Sequence, residues 1–400
     1  MSQLSVVTLS EISESINYGY TASATEDPIG PKFLRITDIV PDSIEWRSVP
    51  YCQIDDETRQ KYSLVAGDIV IARTGATVGY AKMIRKNVDA VFASYLVRFR
   101  IDRRKADWRY VGKLVESTLY KAYVLSQVGG AAQPNANAQI LGGFKFKLPS
   151  QKVQDKIACI LCNYDDLIEN NRKRIALLED AAREIYKEWF VRLRFPGYEN
   201  AEIINGMPEG WEKRTAIDLM QVMSGGTPKT TIPDYWDGEI PFYTPKDSTV
   251  ESYVIETEKT ITTTGLANCN SRLYPKDTIF ITARGTVGNL NMSYRPMAMN
   301  QSCYALVGKP GYPQKYLFCM LKDAVQHFKQ HASGAVFDAI VVDTFKLIPV
   351  VVPCDHLVQE FERIAQPIYA QVGTLLEQNI RLSEARDILL PRLMSGEIEV

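Results

Sequence analysis

The chain repeats its own sequence, and this internal repeat constrains the fold more than any other feature. The segment AGDIVIARTGATVG, which begins at Ala66, is similar to YPKDTIFITARGTVG, which begins at Tyr274. Asp68 matches Asp277 at an offset of 209 residues, and the Thr-Val-Gly that ends each segment matches at the same offset. Similar segments recur before and after these two at nearly the same offset. Each half of the 400-residue chain is therefore one copy of a unit of about 200 residues.

Each copy begins with a globular segment, residues 1–150 and residues 211–353. Short apolar runs such as DIVIA and TIFIT alternate there with Gly, Pro, Asn and Asp, a pattern typical of strands and turns. Longer stretches between the runs, such as YVGKLVESTLYKAYVLSQV from Tyr110, are helical in character. We therefore predict two mixed α/β domains.

Each globular segment is followed by a long helical segment, residues 151–194 and residues 354–400. These segments contain little glycine and carry apolar residues three and four positions apart, as in a coiled-coil seam. A helix of ~40 residues is ~60 Å long at 1.5 Å per residue, which is too long for an ordinary core helix. Residues 195–210 are rich in Pro, Gly and Asn and are predicted to be a linker.

Composition excludes several classes of protein without identifying a partner. The chain has 46 Lys and Arg against 47 Asp and Glu, so its net charge indicates neither nucleic acid nor a membrane surface. No apolar run approaches the ~20 residues that span a bilayer, and the acidic start does not resemble a secretory signal, which predicts a cytoplasmic protein. The seven dispersed cysteines fit reduced thiols rather than a disulfide framework.

The sequence lacks signatures of the enzymes that act on DNA. An adenine methyltransferase needs an Asn/Asp-Pro-Pro-aromatic turn, yet the chain contains no Pro-Pro pair. The Gly308-Lys309 pair is followed by Pro310 rather than by the Ser or Thr of a phosphate loop. No Glu has Lys two positions later, as a magnesium-dependent nuclease commonly does. We therefore predict that the chain is not an enzyme.

Two residue pairs have the spacing of metal ligands, but both are better explained as helix residues. Cys159 and Cys162 lie inside the seam pattern and have no second pair to complete a zinc site. His327 and His331 lack the Glu that follows the first His in a zinc-protease helix. We predict that the chain holds no metal.

Polar loops in both halves carry side chains suited to nucleic acid. Arg73 and Arg284 each lie beside Gly and Thr just after an apolar strand, and arginine can bond O6 and N7 of guanine together. SGGTPKTT, from Ser224, offers glycines for close backbone approach, hydroxyls and a lysine, whereas GGAAQPNANAQ, from Gly129, offers amides for adenine edges. The basic run RFRIDRRKADWR, residues 98–109, could follow phosphates. The alternative for each is an ordinary turn or a solvated surface. The candidate DNA contacts are Arg35, Thr37, Arg73, Thr74, Gln133, Asn135, Thr227, Lys229, Thr230, Lys246, Arg284 and Thr286.

Several segments together resemble a known family. They are SGGTPKT followed by YWDGEIPFYTPKD, the MPEGW that opens the second copy, the QPNANAQ before FKFKLP, and the final LLPRLMSGEIEV. With these segments the chain is similar, over essentially its whole length, to the DNA-specificity subunit of type I restriction-modification systems.

The resemblance implies two target-recognition domains, each reading one half of a bipartite DNA site, separated by two long antiparallel coiled-coil helices. It implies that two methyltransferase subunits dock on the helices, that motor-nuclease subunits join them, and that the complex methylates adenine at N6. The chain itself would bind no cofactor, since S-adenosylmethionine, ATP and magnesium belong to the partner subunits. The alternative is a coiled-coil adaptor whose two domains bind proteins rather than DNA.

Two polar residues interrupt the apolar seams at corresponding positions. Asn171 and Asn379 lie 208 residues apart, each near the middle of its helix. In an antiparallel pair the middles meet, so we expect the two amides to bond across the seam and to fix the register of the helices. The alternative is that a kink at Pro367 leaves both amides in solvent.

Overall fold

The computed structural model describes residues 5–129, 134–331 and 339–400. The chain divides into two compact units. Each unit combines one globular domain with parts of the two long helices. Among the described residues, no helix is both long and apolar enough to cross a membrane.

The first unit comprises Met1–Asp166 and Leu382–Val400. Strands β2, β7, β4 and β5 form an antiparallel sheet in that order, β3 pairs with β6 in parallel, and β1 pairs with β8. The strands are β1 (Ser5–Thr8), β2 (Ser13–Tyr18), β3 (Lys32–Leu34), β4 (Asp68–Ala72), β5 (Ala81–Met83), β6 (Ala90–Phe92), β7 (Leu96–Ile101) and β8 (Lys145–Leu148). The short helices are α1 (Ile36–Ile39), α2 (Asp56–Tyr62), α3 (Trp108–Val115), α4 (Thr118–Gln127) and α5 (Ala138–Gly142).

The first long helix is α6 (Gln151–Tyr186), which continues into a π-helical turn at Lys187–Val191.

The second unit, Leu167–Arg381, repeats these pairings. Its sheet has the order β12, β19, β16, β17, with an additional parallel strand β14 at the edge; β13 pairs with β18 in parallel, and β11 pairs with β20. The strands are β9 (Ile203–Ile204), β10 (Met207–Pro208), β11 (Glu212–Thr215), β12 (Met220–Ser224), β13 (Trp236–Tyr243), β14 (Tyr253–Val254), β15 (Thr260–Ile261), β16 (Ile279–Thr282), β17 (Leu290–Ser293), β18 (Ala298–Met299), β19 (Cys303–Gly308) and β20 (Pro349–Val352). The helices are α7 (Ala216–Leu219), α8 (Thr263–Ala267), α9 (Gln314–His331) and the long α10 (Asp355–Ser395).

The mixed α/β fold is therefore confirmed, and the sequence repeat is a repeat of strand pairings. The central strands β4 and β16 are buried along their whole length, which explains why DIVIA and TIFIT are continuous apolar runs. Helix α10 continues through both Pro367 and Pro391.

Each domain has an acidic side chain near the start of its central strand, and the basic partner of that acid differs between the two domains. Asp68 is fully buried and accepts from Nε and Nη2 of Arg100 on the neighbouring strand, at 2.7 and 2.9 Å. Asp277 contacts Nζ of Lys315 on α9 at 2.6 Å and accepts from the Tyr253 hydroxyl at 2.7 Å. Because a carboxylate withdrawn from solvent is costly when it is unpaired, each of these carboxylates has a cationic partner.

In the second unit the two long helices pass each other in antiparallel directions. The rings of Tyr186 and Phe361 lie 5.9 Å apart, and further along the pair Nδ2 of Asn171 donates to Oδ1 of Asn379 at 3.0 Å. Asn171 is only 6% exposed. The amides thus meet across the seam as expected, and a kink at Pro367 does not turn them into solvent.

In the first unit the seam contains an ion pair instead of an amide pair. Arg386 Nη1 lies 2.9 Å from Oδ1 of Asp165, and Lys113 Nζ of α3 lies 2.7 Å from Oδ2 of the same carboxylate. Burial raises the pKa of Asp165, but Lys113 and Arg386 outweigh burial, so the pKa lies below its ordinary value. The Asp165 carboxylate therefore joins both long helices to the domain helix α3.

We predict that replacing both Asn171 and Asn379 by leucine raises the melting temperature, because apolar contacts replace two amides in the seam. Replacing Asn171 alone should cost on the order of 1–3 kcal/mol, because Asn379 loses its partner. Thermal unfolding of the full chain measures both effects, with the exposed Gln378→Leu on the same helix as control. Additive losses in the double variant would contradict a coupled pair.

Candidate nucleic-acid interface

The ends of four strands in the second unit meet at one surface. Gly226 donates its backbone N–H to the Met299 carbonyl at 3.1 Å, and Asn300 donates to the Tyr243 carbonyl at 3.0 Å. Ala283 donates to the Ser302 carbonyl at 2.8 Å, which joins the loop after β16 to the same group. We call the four loops, residues 225–231, 244–247, 283–286 and 300–302, the second loop surface.

The second loop surface brings together the six candidate residues of the second half. The Thr227 hydroxyl bonds to the Gln301 side chain, and the Thr286 hydroxyl donates to the Pro245 carbonyl at 3.5 Å. The side chains of Lys229, Lys246 and Arg284 are exposed, and none has an ion-pair partner within the described part of the chain; Thr230 is exposed beside them. Three cations are therefore available to bind an anionic ligand.

The glycines of SGGTPKTT have a different role from the predicted one. A Cβ on Gly225 would lie 2.2 Å from the Asn300 carbonyl oxygen, and a Cβ on Gly226 would lie 2.6 Å from the Asn270 nitrogen. These glycines allow close packing within the protein rather than close approach of a ligand. The first copy has the same requirement, since a Cβ on Gly19 would lie 2.2 Å from the Ala93 carbonyl oxygen.

A tight turn carries the candidates Thr37 and Lys246 at matching exposed positions. In the second copy the backbone N–H and hydroxyl of Thr244 donate to Oδ2 of Asp247, at 2.8 and 2.7 Å. In the first copy Asp38 accepts from the Arg35 backbone N–H at 2.8 Å and from its guanidinium at 3.0 and 3.1 Å. The turn is thus held by an aspartate in both copies, and the Arg35 side chain is engaged within it.

The first unit gathers several of its candidates on one surface. The Ala136 backbone donates to the Arg73 carbonyl at 2.8 Å, and Thr74 forms a β-bridge with Asn135, whose side chain is exposed. The Arg73 guanidinium lies over the Tyr18 ring, 5.1 Å from its centroid. We call residues 18–20, 35–37, 73–75, 93–95 and 134–137 the first loop surface. The candidate Gln133 lies outside the described residues.

The prediction that Arg73 and Arg284 occupy matched positions is wrong by one residue. Gly79 donates to the carbonyl of Ala72 at 2.9 Å, and Gly288 donates to that of Thr282 at 2.8 Å, which marks Ala72 and Thr282 as equivalent strand ends. Arg73 directly follows its strand end, whereas Arg284 is the second residue after its own. Arg73 is accordingly half-buried and Arg284 exposed.

The basic run 98–109 is not a free phosphate-binding stripe, because each base is engaged within the first unit. The sheet register places Arg100 opposite Asp68, and Arg98 donates to Asn17 and to the Ser63 carbonyl, both at 2.8 Å. The other bonds are Arg103 to the Ala66 carbonyl, Arg104 to Asp102, Lys105 to the Glu11 carbonyl, and Arg109 to Asp107 and Asp155. Similarly, Asn137 caps α5 by accepting from the Ile140 N–H at 2.9 Å.

Sequence reasoning missed three residues of the loop surfaces. Tyr18 supports Arg73, and Tyr95, which is 59% exposed, lies in the turn whose carbonyl accepts from the Arg73 N–H at 3.0 Å. Gln301 occupies the corresponding turn of the second unit, bonded to Thr227. Matching the turns before β7 and β19 in the repeat was the signal that could have found Tyr95 and Gln301.

No group of three or more His, Cys, Asp and Glu side chains that could hold a metal ion occurs in the described ranges. Cys159 is exposed and Cys162 is buried on α6. The side chains of His327 and His331 lie outside the described part.

Comparison with known proteins assigns this duplicated arrangement to a family. The model of the type I restriction modification DNA specificity domain matches residues 1–180 and 208–366, once over each copy. The chain belongs to this family. Specificity subunits recognise DNA sequence and are the non-catalytic components of type I systems, so the role of this member is recognition rather than catalysis.

Curated relatives of this specificity-domain protein carry the same description. The MjaIX type I restriction enzyme specificity subunit of Methanocaldococcus jannaschii is 25% identical over 301 residues, covering 73% of this chain and 69% of the relative. The putative MjaX specificity subunit of the same organism is 23% identical and covers 98% of this chain and 93% of its own. The fold is shared with the S subunit of the M. genitalium type I system, with a TM-score of 0.58, 14% identity, and coverage of 98% and 97%.

Gly225→Ala should lower the melting temperature of the full chain by several degrees. The added Cβ would overlap the Asn300 carbonyl, and overpacking of this kind costs about 1–3 kcal/mol. Gly129→Ala is the matched control, because the nearest atom to its added Cβ is 3.9 Å away. Equal melting temperatures for the two variants would refute the packing role.

Proposed function

We propose that this chain binds a bipartite DNA site, one half at each loop surface, and directs adenine-N6 methylation and restriction by partner subunits. The observation that carries the proposal is the duplication. The same four strand ends support a polar surface twice in one chain, with different side chains on the two surfaces. Two similar but unequal surfaces suit a DNA site with two different halves.

The chemistry of the cationic side chains on the loop surfaces suits some of them to bases and others to phosphates. Arg284 is exposed and unpaired in the described structure, so its planar guanidinium is suited to the O6 and N7 acceptors of a guanine. Lys229 and Lys246 are flexible point charges, which suit phosphates. On the first surface, the Arg73 guanidinium lies over the Tyr18 ring, and the next residue, Thr74, forms a β-bridge with Asn135, whose exposed amide is able to pair with adenine.

The long helices are the proposed spacer between the half-sites. Within the second unit their register is held by Asn171 and Asn379, and within the first unit by Asp165 and Arg386. Sliding one helix by a heptad would move it ~10 Å, roughly three base pairs of DNA. A fixed register would therefore favour one spacer length.

The proposed partners are those that the family resemblance implies. Two methyltransferase subunits would dock on the helices, and motor-nuclease subunits would join them in a cytoplasmic complex. S-adenosylmethionine, ATP and magnesium would be bound by those subunits and none by this chain. The curated relatives named above support this proposal, since each is described as a subunit of a type I restriction enzyme.

The purified chain with S-adenosylmethionine should transfer no methyl group to duplex DNA, because the family supplies recognition rather than chemistry. Adding the methyltransferase subunit of the same type I system should produce N6-methyladenine at one bipartite site. Transfer is measured with radiolabelled S-adenosylmethionine, and the methyltransferase alone serves as control. Methylation by this chain without a partner would refute the proposal.

Arg284→Ala should cost about 1–3 kcal/mol at one base position and relax the preference there. Lys246→Ala should weaken all sequences alike and reduce the salt dependence of binding by about one ion. Sequencing of duplexes selected by the full chain from a randomised library distinguishes the two effects. If both variants weaken binding to all sequences alike, Arg284 is a phosphate contact rather than a base contact. A chain that selects no DNA motif and binds proteins instead would favour the adaptor alternative.

A further inference from the structure

In both domains, a side chain on the equivalent strand donates a hydrogen bond to the equivalent loop. In the first unit, Nζ of Lys82 on β5 donates to the Asp42 carbonyl at 2.8 Å. In the second unit, Nδ2 of Asn291 on β17 donates to the Glu251 carbonyl at 2.7 Å. The two donors lie 209 residues apart in the sequence, and so do the two acceptors. Each copy therefore makes the equivalent hydrogen bond, but with a different side chain.

Asn291 holds both ends of the loop that it contacts. It is fully buried, and its Oδ1 accepts from the Tyr243 hydroxyl and from the Ser248 hydroxyl, both at 3.0 Å. Its Nδ2 donates to the Thr249 carbonyl at 3.1 Å as well as to Glu251. Tyr243 is the last residue of β13, so one amide joins the start and the end of the segment 243–251.

That segment carries the turn that presents Lys246. The turn is closed internally, because the backbone N–H and hydroxyl of Thr244 donate to Asp247. Its Pro245 carbonyl accepts from Thr286 in the loop that carries Arg284. By fixing the two ends of this segment, Asn291 therefore also fixes the position of Lys246 relative to Arg284.

The first unit has the same arrangement around Lys82. The turn closed by Arg35 and Asp38 presents Thr37, and the chain leaves this turn through Asp42, whose carbonyl Lys82 holds. The Lys82 side chain is half-buried and donates to protein backbone, so it is not directed at DNA.

We propose that Lys82 and Asn291 are positioning residues for sequence readout, each fixing the recognition turn of its own domain and so the base preference of one half-site. The proposal rests on the proposed function. Because Asn291 is fully buried, its effect on readout must pass through the turn rather than through contact with DNA. A general stabilising role would weaken both half-sites together, whereas a positioning role acts on one.

The test compares variants of the full chain in selection from a randomised duplex library. Lys82→Met removes the donor and keeps the length of the side chain, whereas Lys82→Arg keeps a donor and should restore readout. Lys147→Met is the matched control, since Lys147 is exposed on β8 of the same domain. Asn291→Asp removes the two donations and keeps the shape.

We expect Lys82→Met to lose about tenfold discrimination at positions in one half of the selected motif, the effect of one lost hydrogen bond. Discrimination in the other half of the motif should be unchanged by Lys82→Met. Asn291→Asp should lose discrimination in that other half and keep it in the first. Hydrogen exchange of the free chain provides a readout without DNA. Amides of residues 35–48 should exchange faster in Lys82→Met, and amides of residues 244–251 should do so in Asn291→Asp.

Equal loss in both halves, or an unchanged motif with Lys82→Met, would overturn the positioning role. Unchanged hydrogen exchange in the tethered loop would overturn it as well, and this measurement also decides the matter if Asn291→Asp proves too unstable to select DNA. A wild-type chain that selects no motif would instead overturn the proposed function. The two failures are distinguishable, because in that case the unaltered protein fails.

Discussion

The polar contacts across the seam of the long helices are the constraint on which the rest of the arrangement depends. A purely apolar seam is tolerant of shifts by a heptad, since one leucine or isoleucine replaces another. Asn171 bonded to Asn379, and Asp165 bonded to Arg386, are satisfied in one register and unsatisfied in its neighbours. Asp165 also contacts Lys113 of α3, so the helix register is connected directly to a domain.

The two domains show which features of the repeat are physically required and which are exchangeable. An acid paired with a cation lies near the start of the central strand in both copies, but a neighbouring strand supplies the cation of Asp68 and a helix supplies that of Asp277. Likewise, a lysine and an asparagine make equivalent bonds to the loop carbonyls. What the copies share is a polar group that needs a hydrogen-bond or ion-pair partner, and different side chains can supply that partner.

The sequence predicts features that depend on local pattern or on the repeat. The apolar runs at β4 and β16, the starts of α6 and α10, and the meeting of Asn171 with Asn379 are of this kind. The environment of the basic run at 98–109 could not be predicted, because it depends on a sheet register that places Arg100 opposite Asp68. The one-residue difference between Arg73 and Arg284 depends on strand ends, which sequence patterns locate poorly.

The composition of the first unit has a consequence for biosynthesis. Its core includes Leu393 together with Leu9 and Leu161, so residues from both extremes of the sequence pack in one cluster. A ribosome makes residues 5–166 first but delivers 382–400 only after the entire second unit. The domain that is translated first is thus completed last, and until then it exposes the apolar surface that α10 covers, a period in which a chaperone can bind it.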